Sequence, residues 1–186
     1  MHSLLKAGLL AATLGAAVCA SAQTTAAGPY YVSPSWDQKL PAATRFVVLS
    51  NWNNDAVLDR ETGLVWERGP LQARNFNFAQ ISYSSAVSLC VQSKTGGRYG
   101  WRLPSISELQ SLVDPSATTD FMTLPPGHPF LEIQDDYYWS STTTASSNGG
   151  SVFVQGFTTR HHDTGYEKTA QLAMWCVRGP GGGSVQ

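Results

Sequence analysis

The sequence predicts an α+β domain in which an antiparallel sheet is combined with two helices and long loops. Short extended runs with alternating apolar residues stand near both ends of the chain. Two segments with helical periodicity lie between them, and stretches rich in Gly, Ser, Thr and Pro connect the elements. Because the helices are grouped between the strands, they cannot be the crossovers of a parallel sheet.

The first 22 residues are predicted to be a signal peptide. MHSLLK supplies one lysine, the following apolar run is shorter than the roughly 20 residues of a bilayer span, and Ala20-Ser21-Ala22 is an A-x-A cleavage site. We therefore expect cleavage after Ala22 and export to the periplasm or the cell exterior. A lipoprotein would use Cys19 instead, but Val18 is bulkier than the small residue such a site needs. No second apolar stretch is long enough to span a membrane.

The composition of the mature chain argues against a binder of nucleic acid. Loss of the signal peptide and its Lys6 leaves 11 of the 12 basic side chains against 13 acidic ones, a net charge of −2. A protein that binds a phosphate backbone needs a concentrated basic face. The charged fraction is only 13%, which is typical of exported, loop-rich domains, and the length suits one domain.

Two cysteines remain after export, Cys90 and Cys176. In an oxidising compartment an isolated pair is most simply a disulfide, and the alternative is two buried free thiols. If the pair is bridged, the chain-entropy model allows about 4 kcal/mol of stabilisation.

The first elements along the chain are extended. Residues 23–43 form a linker or N-terminal arm, residues 45–49 (RFVVL) a short strand, and AVLD-RETG-LVWER a hairpin whose turn ends in Gly63. Apolar alternation places Val57, Leu64 and Trp66 near the core.

The first helix is predicted over residues 82–93. Ser82 or Ser84 can cap it, Cys90 lies on its apolar stripe, and Gly96 and Gly97 are expected to stop it.

The second helix starts inside the stretch GGRYGWRLPSISELQSLVD, residues 96–114. Pro104 forces an extended approach, Ser105 is the expected N-cap and Glu108 completes a capping box. The apolar face runs to Val113. Because each residue of the stretch has a local structural task, we interpret the stretch as a fold signature without free residues for chemistry.

The second half of the chain is predicted to alternate loops and strands. An irregular excursion anchored by Phe121 and Phe130 follows the second helix. Strands are then expected at residues 137–142, 151–157 and 170–179, loops at 143–150 and 158–168, and a flexible Gly-rich tail at 180–186. The domain itself is expected to occupy residues 44–179.

The pieces VLDRETGLVWER, SAVSLC, GGRYGWRLPSISELQSLVD, YYWSST, VFVQGF and MWCVRG occur in this order over residues 56–179. Together they resemble the Lcl carboxy-terminal domain family of bacterial exported proteins. The resemblance implies a C-type-lectin-like fold and a bridge from the first helix to the last strand, matching Cys90 with Cys176. The Arg-Leu-Pro segment is also similar to the formylglycine-generating, sulfatase-modifying family.

The resemblance implies a binding or adhesion module, since the best-known relative is similar to an adhesin that binds sulfated polysaccharide. This chain departs from that relative, because it has no collagen-like stalk and its net acidity weakens a case for polyanion binding. Trp52-Asn53-Asn54 stands near the N-terminus, not before the final strand, so no calcium–sugar site is carried over.

Candidate metal ligands each have a structural alternative. His161-His162-Asp163 would converge on an ion only from an unusual loop, because neighbours in an extended segment point to opposite faces. A solvated loop is the simpler interpretation. Asp135-Asp136 could be half of a calcium site, but without repeated carboxylate spacing ordinary turn chemistry is favoured. We predict no metal and no cofactor.

The expected function is therefore a non-enzymatic module that binds a glycan or an envelope or extracellular protein through loops 143–150 and 158–168. No phosphate loop or nucleophile elbow is present, and Cys90 and Cys176 are expected to be inert. The alternatives are an enzyme-like relative of the formylglycine-generating family and a structural subunit of the envelope. The candidate ligand-binding residues are Asp135, Asp136, Tyr137, Asn148, Phe157, Arg160, His161, His162, Asp163 and Tyr166.

Overall fold

The computed structural model describes residues 40–70, 80–117, 122–145, 148–159 and 164–179, all of which belong to one compact unit. The predicted signal peptide, most of the arm, Phe121 and the tail lie outside these residues. The helices and strands are α1 Ala42–Arg45, β1 Phe46–Val48, β2 Ala56–Asp59, β3 Val65–Glu67, α2 Tyr83–Gln92, α3 Ile106–Gln110, β4 Tyr137–Thr143, β5 Ser151–Gly156, β6 Thr164–Glu167 and β7 Val177–Arg178. This order confirms the α+β class.

The described strands form two antiparallel sheets, where the sequence predicted one. The first has the order β1-β2-β3-β7 and the second the order β4-β5-β6. In the first sheet the hairpin pairs Val57 with Trp66, and Trp66 in turn faces Val177 of the last strand. Loop 158–168 was expected to be irregular, but part of it forms β6, whose Tyr166 pairs with Val152.

Arg45 ends α1, and the predicted strand 45–49 is shortened to β1 because this arginine turns inward. Its Nε and Nη2 donate to the two carboxylate oxygens of Asp59 at 2.9 and 2.8 Å. Asp59 also accepts from the backbone N–H of Glu61 and the hydroxyl of Thr62. The buried pair therefore closes the hairpin turn, in which Gly63 has a φ of 69°.

Helix α2 begins as predicted at Ser82, whose side chain accepts from the backbone N–H of Ser85. It ends at the predicted position, with the extended Ser93 as C-cap, but the glycines do not stop it, because they follow in a separate 3-10 turn, Thr95–Gly97. The hydroxyl of Ser93 donates to the buried carboxylate of Glu67 at 2.9 Å. A tertiary hydrogen bond therefore ends the helix before a glycine is reached.

Helix α3 has the predicted capping box between Ser105 and Glu108. It ends at Gln110, whereas the predicted apolar face ran to Val113. Leu112 lies in the turn after the helix and is nevertheless buried. Arg102 donates to both oxygens of Glu108 at 2.8 and 2.7 Å. The carboxylate that caps the helix therefore also holds the segment that precedes it.

The predicted last strand, residues 170–179, is shorter in the structure, where only Val177–Arg178 form a strand of a sheet. Residues 172–177 are all buried, and successive side chains enter two different hydrophobic clusters, as the period of an extended chain requires. Ala173, Trp175 and Val177 join the first cluster, and Leu172, Met174 and Cys176 the second. Only β7 belongs to a sheet, because isolated bridges to other segments take the remaining backbone groups.

The tryptophans predicted for the core are buried: Trp66, Trp101, Trp139 and Trp175 are each at most 2% exposed. The ring of Trp175 contacts those of Trp66, Phe130, Tyr138 and Phe157. The predicted disulfide between Cys90 and Cys176 is confirmed, with Cα atoms 5.5 Å apart. It ties α2 to the final extended segment.

Candidate functional site

Four of the predicted ligand-binding residues lie close together around the start of β4. Asp136 accepts from the side chain of Gln80 at 2.6 Å and from the backbone N–H of Tyr137 at 2.7 Å, and Asp135 accepts from the hydroxyl of Thr158 at 2.7 Å. The rings of Tyr137 and Tyr166 are 5.1 Å apart. Both aspartates therefore tie the start of β4 to residues distant in the sequence, and only the bond from the Tyr137 N–H to Asp136 is local.

Tyr83 extends this surface, although the sequence analysis placed it in a helix and gave it no role. Its ring lies 5.7 Å from that of Trp139, and the ammonium of Lys168 lies 5.1 Å from its centroid. Burial raises the pKa of the Tyr83 hydroxyl, so this group is a neutral donor at pH 7. We call Tyr83, Tyr137 and Tyr166 the tyrosine patch; all three are half-buried.

Phe157 was wrongly predicted to bind a ligand, because its side chain is completely buried. Its ring lies 5.3 Å from that of Tyr138 and 5.6 Å from that of Trp175. Phe157 directly follows β5, which is buried at all but one of its residues, and its carbonyl accepts from the N–H of Thr123 at 2.9 Å, so the chain packs over it.

The other predicted residues do not join the tyrosine patch within the described structure. Asn148 is exposed in the turn between β4 and β5, with a φ of 48° that asparagine tolerates better than most residues. Arg160, His161, His162 and Asp163 lie outside the described residues.

A second surface, which the sequence analysis missed, is centred on Trp52. The guanidinium carbons of Arg98 and Arg178 each lie 5.4 Å from the centroid of the Trp52 ring. Nearby, the ammonium of Lys94 lies 5.4 Å from the ring of Tyr99, which is 67% exposed. We call these five residues the Trp52 patch. It combines three positive charges with two aromatic side chains.

The Trp52 patch is held together by the backbone of the glycine-rich stretch. Gly96 has a φ of 63°, and a Cβ at this position would lie 2.7 Å from the Cβ of Trp52, so only glycine fits. Arg178 is fixed from its other side, because its Nε donates to the carbonyl of Tyr99 at 2.8 Å. The two arginines therefore approach Trp52 from separate segments of the chain.

Buried hydrogen bonds anchor the patch from below. Thr95 and Ser93 donate their hydroxyls to one carboxylate oxygen of Glu67, at 2.6 and 2.9 Å. Trp175 donates its indole N–H to the backbone carbonyl of Glu67 at 2.8 Å. The turn that carries Lys94 and the following residues is therefore attached to β3 and to the core.

The charges of the Trp52 patch are not neutralised by the described part of the chain. In residues 40–70, 80–117, 122–145, 148–159 and 164–179, the ion pairs join Arg45 with Asp59 and Glu61, and Arg102 with Glu108. Lys94, Arg98 and Arg178 take part in none of them. The same ranges contain no cluster of three or more His, Cys, Asp or Glu residues that could hold a metal ion.

Comparison with protein families gives one match. A family model described as the Lcl C-terminal domain matches residues 55–178. The chain belongs to the Lcl C-terminal domain family. No curated protein and no solved structure matches it. In this Lcl C-terminal domain, Lys94, Arg98, Tyr99 and Arg178 lie within the matched residues, whereas Trp52 precedes them.

The interpretation of GGRYGWRLPSISELQSLVD as a purely structural signature needs correction for this Lcl C-terminal domain. Trp101, Leu103, Ser105 and Glu108 have the structural roles predicted for them. Arg98 is exposed, however, and belongs with the neighbouring Tyr99 to the Trp52 patch. A feature of the sequence that could have indicated this surface is the position of Arg98 and Tyr99 between glycines. Neither residue belongs to an apolar helical or strand pattern, so neither was needed for the core.

Proposed function

We propose that this protein is an exported, non-enzymatic binding module that recognises an anionic glycan at the Trp52 patch. The observation that carries the proposal is the position of two guanidinium groups over one indole ring, with no carboxylate partner among the described residues. Arginine binds sulfate and carboxylate groups through two parallel hydrogen bonds. A ligand with repeated anionic groups would supply the missing partners.

The surroundings of the two arginines favour binding over a purely structural role. The indole ring restricts the rotamers of both side chains before a ligand arrives, which lowers the entropy lost on binding. Lys94 adds a positive charge beside Tyr99, whose exposed ring offers a stacking surface. The net charge of the chain averages over all residues and therefore does not report such a local concentration.

The disulfide supports the export of the protein. Bridged cysteines persist in oxidising compartments and are rare in the cytosol, and Cys90 and Cys176 are bonded and completely buried. Within the described residues no helix is long and apolar enough to cross a membrane. The expected cleavage after Ala22 remains part of the proposal.

The tyrosine patch favours a second candidate, a neutral glycan or a protein bound near loop 158–168. The adjacent rings of Tyr137 and Tyr166 provide an aromatic surface and could stack on a sugar ring or a peptide. A C-type-lectin-like fold, which the family resemblance implies, would place such a site on its loops.

An enzyme related to the formylglycine-generating family is a weaker candidate, because that chemistry would need a reactive thiol or a bound metal. A structural subunit of the envelope would bind no glycan and would instead be cross-linked to a neighbouring protein. Thiol titration of the folded mature protein tests the enzyme hypothesis. Two free thiols that react with an alkylating reagent would support an enzyme and contradict the disulfide.

The test of the main proposal is the retention of the mature protein on immobilised dextran sulfate, polygalacturonate and unmodified dextran. We expect retention on at least one of the two anionic polymers, elution by salt, and no retention on dextran. Because each cation that binds an anionic group releases a counterion, binding should weaken steeply as the salt concentration rises.

The decisive variant is Arg98→Gln/Arg178→Gln, which should lose retention. The control is Arg60→Gln, because Arg60 is an exposed arginine on another part of the domain. Equal retention of the double variant and the wild type would reject the site, and retention on plain dextran would favour the tyrosine patch. Tyr166→Ala then tests that patch directly, because it removes one ring of the patch and keeps the backbone pairing of β6 with β5.

A further inference from the structure

A surface cleft beside the end of β3 has features of a binding site that neither candidate function uses. Residues 53–55, 68–69 and 131–132 line it, and its volume is about 380 Å³. Backbone hydrogen bonds tie the segments together: the N–H of Arg68 donates to the carbonyl of Asp55, and the N–H of Leu131 donates to the carbonyl of Arg68, both at 2.8 Å. The cleft is therefore part of the ordered framework of the domain.

Unfavourable backbone conformations are concentrated at this cleft. Among the described residues, four that are not glycine have a positive φ, and three of them line the cleft: Asn53, Asn54 and Glu132, at 56°, 57° and 57°. Asparagine tolerates the left-handed region, but for glutamate the conformation is uncommon and costly. Strained residues of this kind persist mainly where a site requires them.

Three charged residues line the cleft, Asp55, Arg68 and Glu132, and Arg68 and Glu132 do not pair with each other. The guanidinium of Arg68 is oriented by hydrogen bonds from Nε to the carbonyl of Pro129 at 3.2 Å and from Nη1 to that of Asn54 at 3.5 Å. Glu132 is exposed. Neither side chain is in an ion pair with any described residue, although both face the same cleft. The backbone thus holds a cation and an anion apart.

We propose that this cleft binds a small zwitterion of the α-amino acid or dipeptide class. Its carboxylate would pair with Arg68, whose planar fork suits a carboxylate, and its ammonium group would pair with Glu132. The volume lies near the lower end of the range for ligand pockets, roughly 300 to 1,000 Å³, which fits an amino acid or a dipeptide better than an oligosaccharide. This site shares no residue with the Trp52 patch or the tyrosine patch.

The test uses L-alanine, L-serine and L-alanyl-L-alanine as probes, with calorimetric titration and thermal unfolding of the folded mature protein. N-acetyl-L-alanine and L-alaninamide are the matched controls, because each lacks one of the two charges. We expect at least one zwitterion to bind and to raise the melting temperature, and both blocked analogues to bind at least tenfold more weakly. The absence of binding by every zwitterion at millimolar concentration would overturn the proposal, as would equal binding of the blocked analogues.

Glu132→Gln should weaken zwitterion binding at least tenfold, whereas Glu167→Gln, at an exposed glutamate of β6, should leave it unchanged. Glu132→Gly separates binding from folding. It relieves the positive φ, so this variant should melt at a higher temperature than the wild type and yet have lost the binding. Unchanged binding in either Glu132 variant would overturn the assignment. Because the glycan test depends on Arg98 and Arg178, failure of one proposal leaves the other intact.

Discussion

Four arginines of this domain form two groups that differ in what faces the guanidinium. Arg45 and Arg102 each donate two hydrogen bonds to a carboxylate, those of Asp59 and Glu108. Arg98 and Arg178 instead lie over the ring of Trp52. The first group holds the carboxylates that close a turn and cap a helix, whereas the second group has no carboxylate partner among the described residues, although the Nε of Arg178 donates to the carbonyl of Tyr99.

This difference distinguishes arginines that stabilise the fold from arginines that are available to bind a ligand. A buried charge must be paired, because an unpaired one carries a large desolvation penalty. A stacked, solvent-accessible arginine avoids that penalty and keeps its donors for a ligand. The free energy of unfolding should therefore respond to changes in the first group, and ligand binding to changes in the second.

The largest expected effect is that of Arg45→Met. Asp59 is completely buried, so loss of its partner leaves an uncompensated charge and should lower the free energy of unfolding by about 3–5 kcal/mol. Denaturant unfolding measures this loss, with Arg60→Gln as the exposed control. If Arg45→Met lowered the free energy of unfolding no more than Arg60→Gln does, Arg45 would not be a structural cation and the distinction between the two groups would be wrong.

Removal of the disulfide by Cys90→Ala/Cys176→Ala should be nearly as severe. The bridge closes a loop with a sequence separation of 86 residues, and the chain-entropy model gives about 4 kcal/mol. Lys94 follows the first cysteine and Arg178 the second, so retention on the anionic polymer should also weaken. Denaturant unfolding and column retention measure the two effects, and unchanged retention would show that the Trp52 patch assembles without the bridge.

The pairing of Glu108 should appear in the dependence of stability on pH. Burial alone raises the pKa of this carboxyl group, but hydrogen bonds from Arg102 and Ser105 outweigh burial and hold the pKa below its ordinary value of 4.5. The stabilisation is therefore complete above that value and is lost as the pH falls through the lowered pKa.

Glu108→Gln should accordingly cost about 1 kcal/mol at neutral pH and flatten the acid side of the stability curve. Unfolding titrations of both proteins between neutral and acidic pH measure this difference. A variant whose acid curve parallels that of the wild type would show that other groups cause the acid dependence.

The smallest effect on stability is expected for Arg98→Gln and Arg178→Gln, each within about 0.5 kcal/mol of the wild type. Neither arginine neutralises a described carboxylate, so folding should be almost indifferent to the change, although retention on the anionic polymer should be lost in the double variant. Thermal unfolding beside the binding test measures the contrast. A destabilisation comparable to that of Arg45→Met would place these arginines in the structural group.

The sequence by itself determined the local structure of the domain. The hairpin around Gly63, the Ser82 and Ser105 caps and the alternation of the final segment follow from short-range patterns, because turn geometry, capping and side-chain period depend on near neighbours. The disulfide could also be predicted, since the predicted signal-peptide cleavage would leave only Cys90 and Cys176.

Only the tertiary structure decided what stops helix α2 and which side chains form the patches. Helix α2 ends at Ser93 because its hydroxyl reaches Glu67, a partner 26 positions earlier in the chain. Phe157 is a core residue because its ring packs against Tyr138 and Trp175. The Trp52 patch joins Trp52, Arg98 and Arg178 from three distant segments, and no local pattern specifies which side chains meet across such distances, since that depends on how the segments pack together.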